Sequence, residues 1–185
     1  MTDSGHFRAH NVVLPPGDLW VFGYGSLMWN PGFVFAETHI ARLFGYHRAL
    51  CVWSWVYRGT RDQPGLVLGL DTGGSCKGRA FRVRERDRSA VLAYLYEREM
   101  IAYAYTPCVR PVRFGRRCAQ ALTFVVDRAH RQYAGKLSAQ DTARIIRAAA
   151  GDKGDNLEYL LNTAKHLREL GIRDKALCDL MRVLE

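Results

Sequence analysis

The stretch Val21-Phe22-Gly23-Tyr24-Gly25-Ser26-Leu27 joins an apolar run to two glycines one residue apart. Leu19 to Phe22 has the bulky aromatic and β-branched character of a covered strand. A Gly-Tyr-Gly-Ser turn after it can aim several peptide N–H groups at one point, which makes a nest for a carboxylate or phosphate. The same spacing also describes an ordinary glycine-rich turn. It is not a dinucleotide fingerprint, because the third glycine and the following apolar helix are missing. The second chemical signal is Glu99. Between Ser89 and Tyr103 the apolar residues Leu92, Leu95, Tyr96 and Tyr103 fall on one helical face, and at about 100° per residue Glu99 lies at the centre of that stripe. Glu97 and Arg98 fall on flanks where solvated charges belong. A carboxylate on an apolar face is desolvated, so its pKa rises toward the range a general base or acid needs. A structural pair with an arginine would explain the same placement.

The elements that would hold these groups follow from the pattern on either side. Strands are expected over Thr38–Leu50, with a break at Gly45, and over Arg48–Val56. Further strands are expected over Leu66–Leu70 and Gly78–Val83, joined by a hairpin at Thr72-Gly73-Gly74-Ser75. Arg58 to Gly65 reads as a loop closed by Pro64-Gly65. Val109–Phe114 and Ala119–Val126 return to strand. Ser138-Ala139-Gln140-Asp141 resembles a capping box, and Asp155 to Glu158 caps a helix whose Leu157, Leu160, Leu161 and Ala164 line one face. Strands early and helices late predict a single α+β domain, a small antiparallel β-barrel with flanking helices. Residues 1–17 read as a polar leader and 18–185 as the domain.

Composition narrows the chemistry. A chain of 185 residues, 48% hydrophobic and 24% charged, can bury a core without staples. No apolar run is long enough for a membrane span, and no signal peptide opens the chain, so the cytoplasm is the expected compartment. The five cysteines form no C-x-x-C pair, which favours free thiols, and the six histidines show no metal-ligand spacing. No metal is expected. The formal charge of +9 is spread along the chain, so it favours attraction of small anionic substrates over nucleic-acid binding. Nothing points to an obligate protein partner.

Six spaced motifs, taken together, resemble the ChaC-type γ-glutamylcyclotransferases. They are Val21 to Trp29, Arg58-Gly59-Thr60, Pro64-Gly65, Gly74-x-Cys76-x-Gly78, Arg98-Glu99-Met100 and Asn156-x-x-Tyr159-Leu160. The resemblance runs from about Trp20 to the last helix. It implies a γ-glutamylcyclotransferase-like fold, no cofactor, and cleavage of glutathione into 5-oxoproline and cysteinylglycine. It places catalysis on Glu99 and substrate binding on Val21, Phe22, Gly23, Tyr24, Gly25, Ser26, Leu27, Arg58, Tyr105 and Tyr159. Related sequences tend to have a small residue where this chain has Tyr103, which bears on the substrate. The alternatives are a cyclotransferase for other γ-glutamyl amines or dipeptides, and a non-catalytic module that uses the turn as an anion receptor. In the implied reaction the substrate supplies its own nucleophile, so Cys51 and Cys76 are expected to be core thiols without a chemical role.

Overall fold

The computed structural model describes residues 12–99 and 104–185. Five strands close a barrel in the order β1 (Leu19–Gly23), β3 (Gly65–Val83), β2 (Glu37–Ser54), β4 (Tyr105–Phe114) and β5 (Arg117–Val126). The pairings are antiparallel except the closing one, where β1 runs parallel to β5 through Trp20↔Ala121 and Val21↔Leu122. The expected barrel is therefore present, with one parallel seam that the alternation of residues does not reveal.

The strands expected over Thr38–Leu50 and Arg48–Val56 are one strand, and so are Leu66–Leu70 and Gly78–Val83. No hairpin forms at Thr72–Ser75. Instead β2 and β3 pair along their whole length and turn a corner together, with the register shifting between Phe44 and Tyr46 opposite Ser75 and Thr72. Gly45, Gly73 and Gly74 meet at that corner with φ of 85°, 101° and 69°. Left-handed backbone at a bulge suits glycine, and the same residues in sequence read as a turn.

Four longer helices pack outside the barrel. These are α1 (Arg88–Glu99), α2 (Ala139–Ala148), α3 (Asn156–Glu169) and α4 (Lys175–Leu184). Phe22, Leu43, Leu70, Ala80 and Val112 fill the barrel. Val91 and Leu95 of α1 cover Val21, Val83 and Phe124 on one side. Ile146, Leu160, Leu167 and Leu180 of the later helices pack around Met28 and Leu66 on the other. Ser138 caps α2 as expected, its hydroxyl accepting from the Asp141 amide at 3.0 Å and donating to the Asp141 carboxylate at 2.7 Å.

Helix α3 departs from its expected face. Leu160, Thr163 and Leu167 are buried, while Leu161 is exposed. Asp155 stands at the N-cap without a side-chain bond. The anchor is Asn156, wholly buried, which accepts from the Leu66 amide at 2.7 Å and donates to the Leu66 carbonyl at 2.8 Å. Its amide thus mimics a neighbouring strand and fixes the first turn of α3 against β3. Just before α3, β6 (Ala150–Gly151) and β7 (Gly154–Asp155) make a two-stranded hairpin. Tyr103 and Met100 lie outside the described residues.

Candidate active site

A cleft of about 530 Å³ opens where β1 ends, between α1 and α3. Among its walls are Tyr24, Gly25, Ser26 and Leu27 of the turn, together with Arg58, Glu99, Tyr105 and Tyr159. Eight of the eleven residues singled out from the sequence thus share one cavity. Val21, Phe22 and Gly23 do not line it: Val21 and Phe22 fill the core, and Gly23 ends the strand. Their part is to deliver the turn to the cleft floor. Neither Gly23 nor Gly25 has positive φ, so the turn is not a left-handed nest. A Cβ on Gly23 would lie 2.9 Å from the Leu27 Cβ, so glycine is needed there for close approach. Ser26–Met28 then form one turn of 3-10 helix, whose opening amides have no acceptor within it.

Glu99 ends α1 with four-fifths of its side chain covered, whereas Glu97 is exposed as expected. Burial pushes the Glu99 carboxyl above its ordinary value, and the charge of Arg98 only partly opposes this. Arg98 is not the solvated flank residue that periodicity suggests. Its guanidinium donates to the Asn30 carbonyl at 2.7 Å and to the Ser26 hydroxyl at 2.8 Å, and its Nε lies 3.3 Å from Glu99 Oε1. It therefore ties the acid's helix to the glycine turn. Loop carbonyls do this recruiting, and nothing in the local spacing announces it.

The opposite wall is built around the backbone of Leu68. Tyr105 donates its hydroxyl to the Leu68 carbonyl at 2.8 Å, and the Tyr159 oxygen accepts from the Leu68 amide at 3.2 Å. Burial raises the pKa of Tyr24, Tyr105 and Tyr159, and each also feels the Glu99 charge. All three phenols are therefore protonated near neutral pH. Tyr159 faces the cleft although it lies off the leucine stripe of α3. Arg58 packs over its ring at 5.5 Å and donates to the Asp155 carbonyl and the Glu158 carboxylate at 3.1 and 3.3 Å. The loop that carries Arg58 closes tightly, since a Cβ on Gly59 would sit 2.1 Å from the Gly65 amide nitrogen.

Sequence reasoning missed Trp29, Tyr57, Lys153, Asn162, Thr163 and His166, all in the cleft wall. Tyr159, Asn162, Thr163 and His166 follow helical spacing, and this polar stripe on α3 was a readable signal. Arg48 was also missed, and it supports the turn from behind. Buried and paired with Asp174 at 2.7 Å, it donates to the Tyr24 carbonyl at 2.6 Å. Among the described residues, no cluster of three His, Cys, Asp or Glu side chains is arranged to hold a metal.

The family model described as ChaC-like protein matches residues 19–185. The chain belongs to the ChaC-like family. This ChaC-like protein is 41% identical over 167 residues to the glutathione-specific gamma-glutamylcyclotransferase of Escherichia coli K12, covering 89% of this chain and 72% of that one. It is 33% identical over 163 residues to the human glutathione-specific gamma-glutamylcyclotransferase 1, covering 84% and 72% of the two chains. Its fold matches the crystal structure of the yeast gamma-glutamyl cyclotransferase specific to glutathione with a TM-score of 0.82, at 20% identity over 91% of this chain and 96% of that one. The expected fold is thus the observed one.

Proposed function

We propose that this ChaC-like protein is a γ-glutamylcyclotransferase that closes the γ-glutamyl head of glutathione into 5-oxoproline and releases cysteinylglycine. One observation carries the reading: the desolvated Glu99 and the turn Tyr24 to Leu27 line the same cavity. Its E. coli and human relatives, both glutathione-specific gamma-glutamylcyclotransferases, support it. The cleft volume falls within the range of about 300–1,000 Å³ usual for small-molecule sites.

The chemistry follows from what each group can do. The backbone amides and hydroxyl at Gly25 to Leu27 hold the α-carboxylate of the substrate and fix its bent conformer, an orientation effect. The α-ammonium must lose a proton before it can attack. Glu99, whose carboxylate burial makes a stronger base than an exposed one, takes that proton. The amine nitrogen then attacks the γ-carbonyl carbon and closes the five-membered lactam. As the C–N bond of the amide breaks, Glu99 returns the proton to the departing nitrogen and then relays the second proton of the ring nitrogen, leaving a neutral lactam and cysteinylglycine as its ammonium. No enzyme nucleophile takes part and no water is consumed. The phenols of Tyr24 and Tyr159 keep their protons and can donate to the substrate oxygens, and Arg58 adds positive charge at the cleft.

The five cysteines are free thiols, which suits a reducing compartment such as the cytoplasm. No helix among the described residues is long and apolar enough to cross a membrane. The deciding experiment is mass spectrometry of the products after incubation with reduced glutathione. Equimolar 5-oxoproline and cysteinylglycine are expected; glutathione recovered intact would overturn the reading.

A further inference from the structure

The cleft is electrically lopsided. Among the described residues that line it, Glu99 is the one acid, whereas Arg58 and Lys153 bring two cationic side chains. Trp29, just beyond the glycine turn, stacks on His166 near the C-terminal end of α3 at 4.6 Å. Arg58 bonds to Asp155 at the N-terminal end of the same helix. From Tyr159 to His166 the helix rises by about 10 Å, so the wall that α3 gives the cleft is long enough to lie along a small peptide.

Arg58 has already spent much of its charge, because Glu158 and the Asp155 carbonyl accept from its Nη1. Lys153 has not. Among the described residues its ammonium has no ion pair or hydrogen bond. Its backbone is nonetheless held: the Lys153 amide donates to the Tyr57 carbonyl at 2.9 Å and the Asp152 amide to the Val56 carbonyl at 2.8 Å. The β6–β7 hairpin is thereby pinned to the loop that carries Arg58. An exposed lysine on a fixed backbone at the wall of an anion-seeking cleft has its positive charge available to a ligand.

We infer that Lys153 is a specificity residue, whose ammonium takes the C-terminal carboxylate of a γ-glutamyl tripeptide while the turn holds the α-carboxylate at the other end. The cleft then selects substrates with a second carboxylate over neutral γ-glutamyl amines. This inference rests on the cyclotransferase reading and adds the recognition of the leaving half. Lys153 touches no reacting atom, so its effect falls on binding.

The test compares glutathione with its glycine ethyl ester, which lacks the terminal negative charge. Dissociation constants are measured on the Glu99→Gln protein, with and without Lys153→Met, and steady-state constants on the protein with Glu99 intact. Because an ion pair to an exposed lysine is screened by solvent, esterification and Lys153→Met should each weaken binding by about threefold to tenfold. The two losses should not add: Lys153→Met should leave the ester's affinity unchanged, and Lys153→Arg should restore glutathione binding. In turnover the loss should appear in KM and not in kcat. Equal weakening of both ligands by Lys153→Met, or no weakening of either, would overturn the inference. Failure of the cyclotransferase reading has a separate signature, since absence of 5-oxoproline from the unmodified protein leaves the binding comparison fully readable.

Discussion

Two ionisable side chains flank the glycine turn, and they are treated in opposite ways. Arg48, behind the turn, has its side chain 2% exposed and is bonded at each nitrogen. It donates to the Tyr24 carbonyl, the Lys77 carbonyl and the Asp174 carboxylate at 2.6, 2.6 and 2.7 Å. Glu99, in front of the turn, is 19% exposed. Among the described residues no hydrogen bond reaches its carboxylate, and the Arg98 Nε stands 3.3 Å away. A buried charge bonded at all three of its nitrogens holds a structure in place. One with capacity to spare is free to exchange a proton.

The largest expected effect tests the chemical half of that contrast. Removing a positioned general base costs about 10²–10⁴ in rate, so Glu99→Gln should lower 5-oxoproline release by that order while the fold is kept. Its stability should follow the opposite logic. The folded pKa of Glu99 lies above the unfolded value because burial disfavours the charge. The native state therefore binds more protons than the unfolded chain between those two values, and stability rises as pH falls through the folded pKa. At neutral pH the variant, which carries no charge to bury, should be at least as stable as the parent. On acidification through that window the parent should gain on it. Turnover near parental rates, or a variant that melts far below the parent at neutral pH, would place Glu99 among the structural charges.

Arg48 should behave in reverse. Breaking a buried ion pair from one side costs about 3–5 kcal/mol, because the remaining partner is left uncompensated. Arg48→Met should therefore lower stability by that order, measured by denaturant unfolding. Adding Asp174→Asn, which keeps an N-cap side chain for α4 and removes the orphaned charge, should recover part of the loss. A single variant that keeps its stability yet loses turnover as fully as Glu99→Gln would erase the distinction drawn here.

How far the sequence carries depends on the range of each interaction. Glu99 was legible because its oddity is local: an acid on an apolar helical stripe shows itself within a few residues. The turn was legible for the same reason, and so were the barrel's strands in outline. The Thr72–Ser75 hairpin misled because a Gly-Gly pair announces a change of direction without saying whether the chain reverses or merely bends beside a partner. That partner, Gly45, lies on another strand. Arg48 could not be read at all: its acceptors come from β1's turn, β3 and the cap of α4, and Asp174 is 126 residues away. Arg98 was misread because helical phase describes its own helix and is silent about the Asn30 carbonyl that draws it inward. Leu161 failed similarly, since the hydrophobic run on α3 is wider than the face the barrel covers.

The smallest expected effect concerns two buried thiols outside the cleft wall, Cys51 and Cys76. Burial pushes Cys51 up to about 12 and Cys76 up to about 11, so neither is a thiolate at neutral pH. The thiolate is the nucleophilic form of cysteine, and a protonated thiol packed in the core behaves as a small hydrophobe. Cys51 touches the β3 backbone closely, its Sγ lying 2.8 Å from where a Cβ on Gly69 would stand. Its role is thus to fill space beside β3. Cys51→Ala and Cys76→Ala should each change turnover by less than about twofold, with a stability loss on the order of 1 kcal/mol from the lost packing. Collapse of 5-oxoproline release in either variant, with the protein still folded, would put a covalent step on a cysteine and remove Glu99 from sole charge of the proton traffic.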